Sequence, residues 1–147
     1  FMKILYENKK ALFDYEVLEK FQAGLMLLGS EIKSIRLGNV SLKGAYVSVI
    51  GGEAWLKNAN VSQYKYDSCE GYNPLRERKL LLKKKEIEKL AAKLNTQGVA
   101  LIPLAIGIEG RYAKIIIALA RGRKKHDKRE VLKERSMKRE AQRAMRK

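Results

Sequence analysis

Apolar residues recur along the chain with two different periods, which divide it into strand-like and helix-like stretches. Val40, Leu42, Ala45, Val47 and Val49 lead into Ile50-Gly51-Gly52-Glu53, and AWLKNANV follows. Two β-rich runs therefore meet at a Gly-Gly pair suited to a tight hairpin turn. GVALIPLAIGIEGRYAKIIIALA reads as a second hairpin, with Val99 to Ile108 and Tyr112 to Ala120 flanking a turn at Glu109-Gly110. In RKLLLKKKEIEKLAAKLNTQG, Leu80, Ile87, Leu90, Ala91 and Leu94 repeat at helical spacing and Gly98 can close the element, which predicts a helix. FDYEVLEKF fits either strand or helix. In AGLMLLGSEIKSIRLG, Ala23 to Leu28 suits a strand, after which Ser30 begins a short capped helix that turns Ile32 and Ile35 inward and ends at Gly38.

SQYKYDSCEGYNPLRERK has no period and contains Gly71, Asn73 and Pro74, so it is expected to be an exposed loop. Several short strands with one strong helix among them predict a mainly β fold, a small closed or nearly closed antiparallel barrel flanked by helices. The 147 residues suffice for one such domain and an appendage. That appendage is the stretch from Arg121 to Lys147, where 13 basic and 4 acidic residues give +9 of the chain's +16. Its few apolar residues cannot offset the entropy of ordering a packed element. Yet it has no Gly or Pro after Gly122, is rich in helix formers, and spaces Glu130, Glu134 and Glu140 for pairing with basic neighbours. We therefore divide the chain into a barrel, residues 1–120, and a basic C-terminal tail, residues 121–147, flexible when free and helical against a polyanion.

Charge narrows the function. Thirty-two basic against sixteen acidic residues form a self-repelling excess that folding does not require, and its natural counterpart is a polyanion. Nucleic acid is preferred to an anionic membrane because the basic regions lack a broad Leu/Phe/Trp face, and no apolar run approaches the roughly 20 residues of a bilayer span. Met2 is not followed by a secretory signal pattern, and Cys69 is the sole cysteine, so a reducing cytoplasm is the expected setting. One cysteine and one histidine leave no structural zinc set, and no metal or cofactor is expected.

Candidate catalytic chemistry is thin. His126-Asp127 is the one pair that invites a general-base reading, but adjacent residues rarely share the geometry, and a flexible tail lacks a preorganised pocket. Ser30-Glu31 and Ser41 stand in no nucleophile motif, there is no phosphate-cradling loop, and Gly107 to Gly110 imitates an RNA-clamping GxxG only where a hairpin already explains the glycines. The chain is expected not to be an enzyme. Tyr64, Tyr66 and Tyr72 near Arg76, Arg78 and Lys79 suit base stacking combined with phosphate attraction, although tyrosines capping a core edge would give the same pattern. Lys83, Lys84 and Lys85 are equally a solvated helix face.

NKKALFDYEVLEKFQAGLMLLGSEIKSIRLGNVSLKGAYV, NPLRERKLLLKKKEIEKL and ALARGRKKHDKREVLKER together resemble the small protein B family, the SsrA-binding proteins, from about Asn8 to Arg135. The resemblance implies an OB-like antiparallel β-barrel with flanking α-helices. It also implies an RNA-binding adaptor that carries the tRNA-like domain of transfer-messenger RNA to stalled ribosomes for trans-translation. The implied partners are transfer-messenger RNA, the ribosome and its RNA, with elongation factor Tu and alanyl-tRNA synthetase reached only through the RNA, and the protein acting as a monomer. The expected transfer-messenger RNA contacts are Tyr15, Gln22, Lys33, Arg36, Arg76, Arg78, Lys79, Leu81 and Lys83. Gln22 replaces the glutamate of the family's FEAG pattern and Lys83 replaces an Asn or His, exchanging a charge for an amide and a polar group for a cation. Gly122, Arg123, Lys124, Lys125, His126, Asp127, Lys128, Arg129, Lys133 and Arg135 are expected to line the arm that enters the empty mRNA path at the decoding centre, with Asp127 capping its helix. The rival reading is a ribosomal or general RNA-binding OB-fold protein independent of transfer-messenger RNA; a third is an RNA-processing enzyme.

Overall fold

Alternation and turn chemistry generate most of the elements. The computed structural model describes residues 2–96, 98–123 and 125–145, with positions 125–127, 131, 144 and 145 in backbone only. In chain order it contains β1 (Lys3–Glu7), α1 (Lys9–Asp14), β2 (Tyr15–Leu25), α2 (Gly29–Arg36), β3 (Val40–Ser41), β4 (Tyr46–Ile50), β5 (Glu53–Lys57), β6 (Asn60–Val61), β7 (Arg78–Leu81), α3 (Lys84–Leu94), β8 (Val99–Glu109), β9 (Tyr112–Gly122) and α4 (Lys125–Met145). Both hairpins form as their patterns require. β4 and β5 join through Gly51 and Gly52, whose φ values of 60° and 77° match a turn that side-chain-bearing residues resist.

Seven strands make one antiparallel sheet in the order β1-β8-β9-β2-β7-β5-β4, and β3 pairs with β6 in a small second ladder. The large sheet curls until β4 lies against β8. Among the described residues no ladder joins edges β1 and β4, so the barrel is OB-like in curvature and open in hydrogen bonding. A β-bulge between Val17 and Glu19 lets one strand serve two cores. Tyr15 and Val17 pack with Ala118, Ala120, Ile102 and Leu104 against α1, outside the sheet, whereas Phe21, Ala23 and Leu25 turn to the main core with Leu80, Leu101, Ile106, Ile115 and Ile117. Both faces of β8 and β9 are thus covered over part of their length, which is why these strands read as continuous apolar runs.

Three local expectations change. Leu80, grouped by spacing with the helix, is a strand residue of β7, because three-residue breaks imitate helical periodicity over so short a run; the helix begins only at Lys84. The cap of α2 is not Ser30: the N-cap is Leu28, two residues earlier, and Glu31 reaches back to accept the Leu28 N–H at 2.9 Å. FDYEVLEKF divides, with Phe13-Asp14 ending α1 and Tyr15 opening β2. The short helix α1 forms because buried Asn8 caps it through Ala11 and ties its own amide to the Leu42 and Pro103 carbonyls at 3.2 and 3.1 Å.

Candidate nucleic-acid interface

The loop from Ser62 to Glu77 is irregular, as expected, but its basic end is turned inward. Arg78 is wholly buried: Nε donates to Glu31 Oε2 at 2.7 Å, Nη1 to the Ala59 and Arg76 carbonyls at 2.9 and 3.0 Å, and Nη2 to Tyr72 Oη and the Pro74 carbonyl, each at 3.1 Å. Arg76 closes on the other oxygen of Glu31. Burial pushes the Glu31 carboxyl up, but hydrogen bonds from Arg76, the Leu28 N–H and Arg78, with the charge of Arg78, outweigh it and hold the group below its ordinary value. Tyr72, 3.0 Å from Glu31, is raised by burial and by that same carboxylate. Arg78 is therefore removed from the RNA-contacting set, because a guanidinium with its donors spent inside the protein has none to offer a phosphate. Its work, with Glu31, is to fasten the loop to α2 and the start of β7.

Beyond that latch, the register assembles an outward face. Gly24 pairs with Leu81 and Lys114, and Lys79 pairs with Trp55. Alternation on β2 and β7 puts Gln22, Gly24, Lys79 and Leu81 on the side away from the core. Leu81 is 51% exposed and lies over Gly24, where an added Cβ would come within 3.2 Å of the Leu81 Cβ. Gln22 Nε2 donates to Glu109 Oε2 at 3.3 Å, and Arg36 Nη2 to the Gly110 carbonyl at 3.5 Å, so both reach the β8–β9 turn. Lys79 pairs with Glu53 at 3.1 Å. Lys83 is exposed, and its backbone N–H starts α3 by donating to Glu86. Lys33 sits 5.4 Å above the Tyr64 ring, itself edge-on to exposed Tyr66. Lys114, half-buried on the same face, was missed by sequence reading; its signal is that it is the lone charge in AKIIIALA.

Tyr15 belongs elsewhere. It lies seven residues before Gln22 on β2, about 23 Å away at the rise of a strand, and pairs with Gly122. Here the arm is rooted: β9 continues through Arg121 and Gly122, Arg123 donates its backbone N–H to Asp14 at 2.9 Å and its Nε to the Tyr15 carbonyl at 3.2 Å. Lys128 reaches Asp14 at 3.2 Å and stands 5.9 Å from the Phe13 ring centre. A cleft of about 460 Å³ opens beside this root, lined in part by Lys10, Asp14, Tyr15, Lys43 and Tyr46. Arg129, Lys133 and Arg135 are exposed on α4. Lys124 lies outside the described residues, and Lys125, His126 and Asp127 are described in backbone alone. Because α4 begins at Lys125, Asp127 sits inside its first turn rather than ahead of it as a cap.

The geometry defines a class: a small OB-like antiparallel β domain with a cationic face at one end of β2 and a cationic helical arm rooted at the other. Comparison with known proteins makes that class particular. Residues 5–147 match the family model described as SmpB protein. An SsrA-binding protein of Thermosynechococcus vestitus is 46% identical over 145 residues, 98% of this chain and 95% of that one. Another, from Bacillus cereus, is 49% identical over 144 residues, covering 98% and 93%. A solved chain from work described as "tmRNA-SmpB: a journey to the center of the bacterial ribosome" superposes with a TM-score of 0.70 at 38% identity, covering 86% of this chain and 93% of that one. The protein belongs to the SmpB family.

Proposed function

We propose that this protein is an RNA-binding adaptor that holds the tRNA-like domain of transfer-messenger RNA and delivers it to stalled ribosomes for trans-translation. Gln22, Lys33, Arg36, Arg76, Lys79, Leu81 and Lys83 belong to the first contact, while Gly122 through Arg129 with Lys133 and Arg135 enter the empty mRNA path. The observation that carries this reading is the separation of two cationic surfaces by about 23 Å along β2, which suits two RNA bodies rather than one. Tyr15 moves to the second group, beside the root of the arm. The protein supplies shape and charge; peptide synthesis remains the ribosome's, which also places the protein in the cytoplasm. It works as a monomer without cofactor, and elongation factor Tu and alanyl-tRNA synthetase meet it only through the RNA.

The sequence boundary at residue 121 shifts, since Arg121 and Gly122 are held in β9; the helix of the arm, α4, is flexible when the protein is free and becomes fixed on the ribosome. What supports this is that the described side chains of α4 beyond Lys128 are exposed, including Leu132 and Met137, so few contacts within the protein hold the helix. Reversing both charges in Lys128→Glu/Arg129→Glu should leave affinity for a tRNA-like transcript within about threefold while abolishing peptide tagging on stalled ribosomes in a reconstituted system. Tagging at the unmodified rate would remove the arm from the mechanism. The rival, a general RNA-binding OB protein, predicts mixed RNA co-purifying with the chain in place of one discrete tRNA-like species.

A further inference from the structure

The Gln22 amide has two ends of opposite character, a carbonyl that accepts and an NH₂ that donates. A carboxylate can only accept. The 3.3 Å contact from Gln22 Nε2 to Glu109 Oε2 therefore fixes which end faces inward, and the carbonyl oxygen is left as the acceptor on the exposed side. Among the described residues that oxygen has no hydrogen-bond donor. Glu109 is itself well placed to impose the choice: it is half-buried at the end of β8, and Arg36 holds the adjoining Gly110 carbonyl from α2.

Resting on the RNA-face reading above, we propose that Glu109 is a positioning residue, orienting the Gln22 amide so that its carbonyl oxygen accepts a hydrogen bond from the bound RNA. The donor is a base amino or imino group or a ribose 2′-hydroxyl. A phosphate oxygen is excluded as the partner of this carbonyl because it cannot donate. Within a surface that attracts phosphate generally, this pair presents an outward carbonyl acceptor at the place where a carboxylate at position 22 would also accept.

The test sets hydrogen-bond geometry against net charge. Glu109→Lys replaces an acceptor with a donor, which turns the Gln22 carbonyl inward and points its NH₂ outward. Charge alone makes this variant, two units more positive, bind RNA more tightly. Positioning makes it bind about three- to tenfold more weakly, the loss of one hydrogen bond. Gln22→Glu in the Glu109→Lys background restores an acceptor held by a donor, and binding should return to within about twofold of the original, although this double variant is less positive than Glu109→Lys alone. Affinities of the full chain for a folded tRNA-like transcript are measured at fixed salt, with melting curves to show that all variants are folded. Glu109→Lys binding as tightly as the original, or a double variant no tighter than Glu109→Lys, overturns the role of Glu109. Failure of the unsubstituted chain to prefer the folded transcript over an unstructured strand overturns the RNA-face reading instead.

Discussion

Glu31 shows how a residue's neighbours outweigh its type. In a chain with a twofold excess of basic residues, a carboxylate with 1% exposure would be costly alone, but it receives the Leu28 N–H, Arg76, Arg78 and Tyr72. Truncating it strands the buried Arg78 charge. Glu31→Ala is therefore expected to cost about 3–5 kcal/mol in urea unfolding, well above the effect of an exposed glutamate. The pH dependence has a definite sign. The folded-state value of Glu31 is lowered, so its contribution is complete above the ordinary carboxylate value of about 4.3 and is lost as pH falls through the depressed one. The urea midpoint of the original chain should fall more steeply below pH ~4.3 than that of Glu31→Ala; parallel curves would show that Glu31 is not the linked group. None of this was legible in the sequence, where Arg78 and Tyr72 looked like part of an RNA-facing cluster, because alternation does not reveal which side chains of an irregular loop turn inward.

Among the elements, the edge strand β1 depends on a missing side chain. A Cβ on Gly107 would lie 2.2 Å from the Lys3 carbonyl oxygen and 3.0 Å from the Ile4 Cα, so Gly107→Ala must part β1 from β8. Overpacking of this kind costs about 1–3 kcal/mol. Amide hydrogen exchange should quicken across Lys3–Glu7 while β9 stays protected; unchanged exchange in β1 would mean the strands can adjust. The helix α3 is fixed differently, by Lys89 and Lys93 on Glu19 of β2 at 2.7 and 2.6 Å, hydrogen bonds that hold that carboxyl below its usual range. Such pairs are screened by salt and orient the helix more than they stabilise it. Sequence reading found the hairpins because their turns and strands are neighbours in the chain. It misassigned Leu80 because a strand and a helix abut with no intervening glycine or proline.

For the molecule as a whole, the decisive property is how +16 is distributed. If the barrel face engages about six phosphates of a folded RNA, the logarithm of its affinity should fall against the logarithm of salt with a slope of about −4 to −5. A slope near zero would show that shape and apolar contacts, Leu81 among them, carry the binding without charge. Measuring that slope on a chain ending at Arg123 isolates the face from the arm.

By itself the sequence determined what local patterns can carry: two hairpins, one amphipathic helix, a cationic C-terminal segment and a family resemblance spread over nearly its whole length. It could also name Gln22, Leu81 and Lys83 as surface candidates from motif alone. Only the tertiary structure decided that Arg78 faces Glu31, that Tyr15 stands at the root of the arm, and that Gln22 meets Glu109 from 87 residues away. The physical reason is that charge and periodicity are properties of neighbours in the chain. Burial, register and hydrogen-bond partnership are fixed only when the sheet curls and distant strands come side by side.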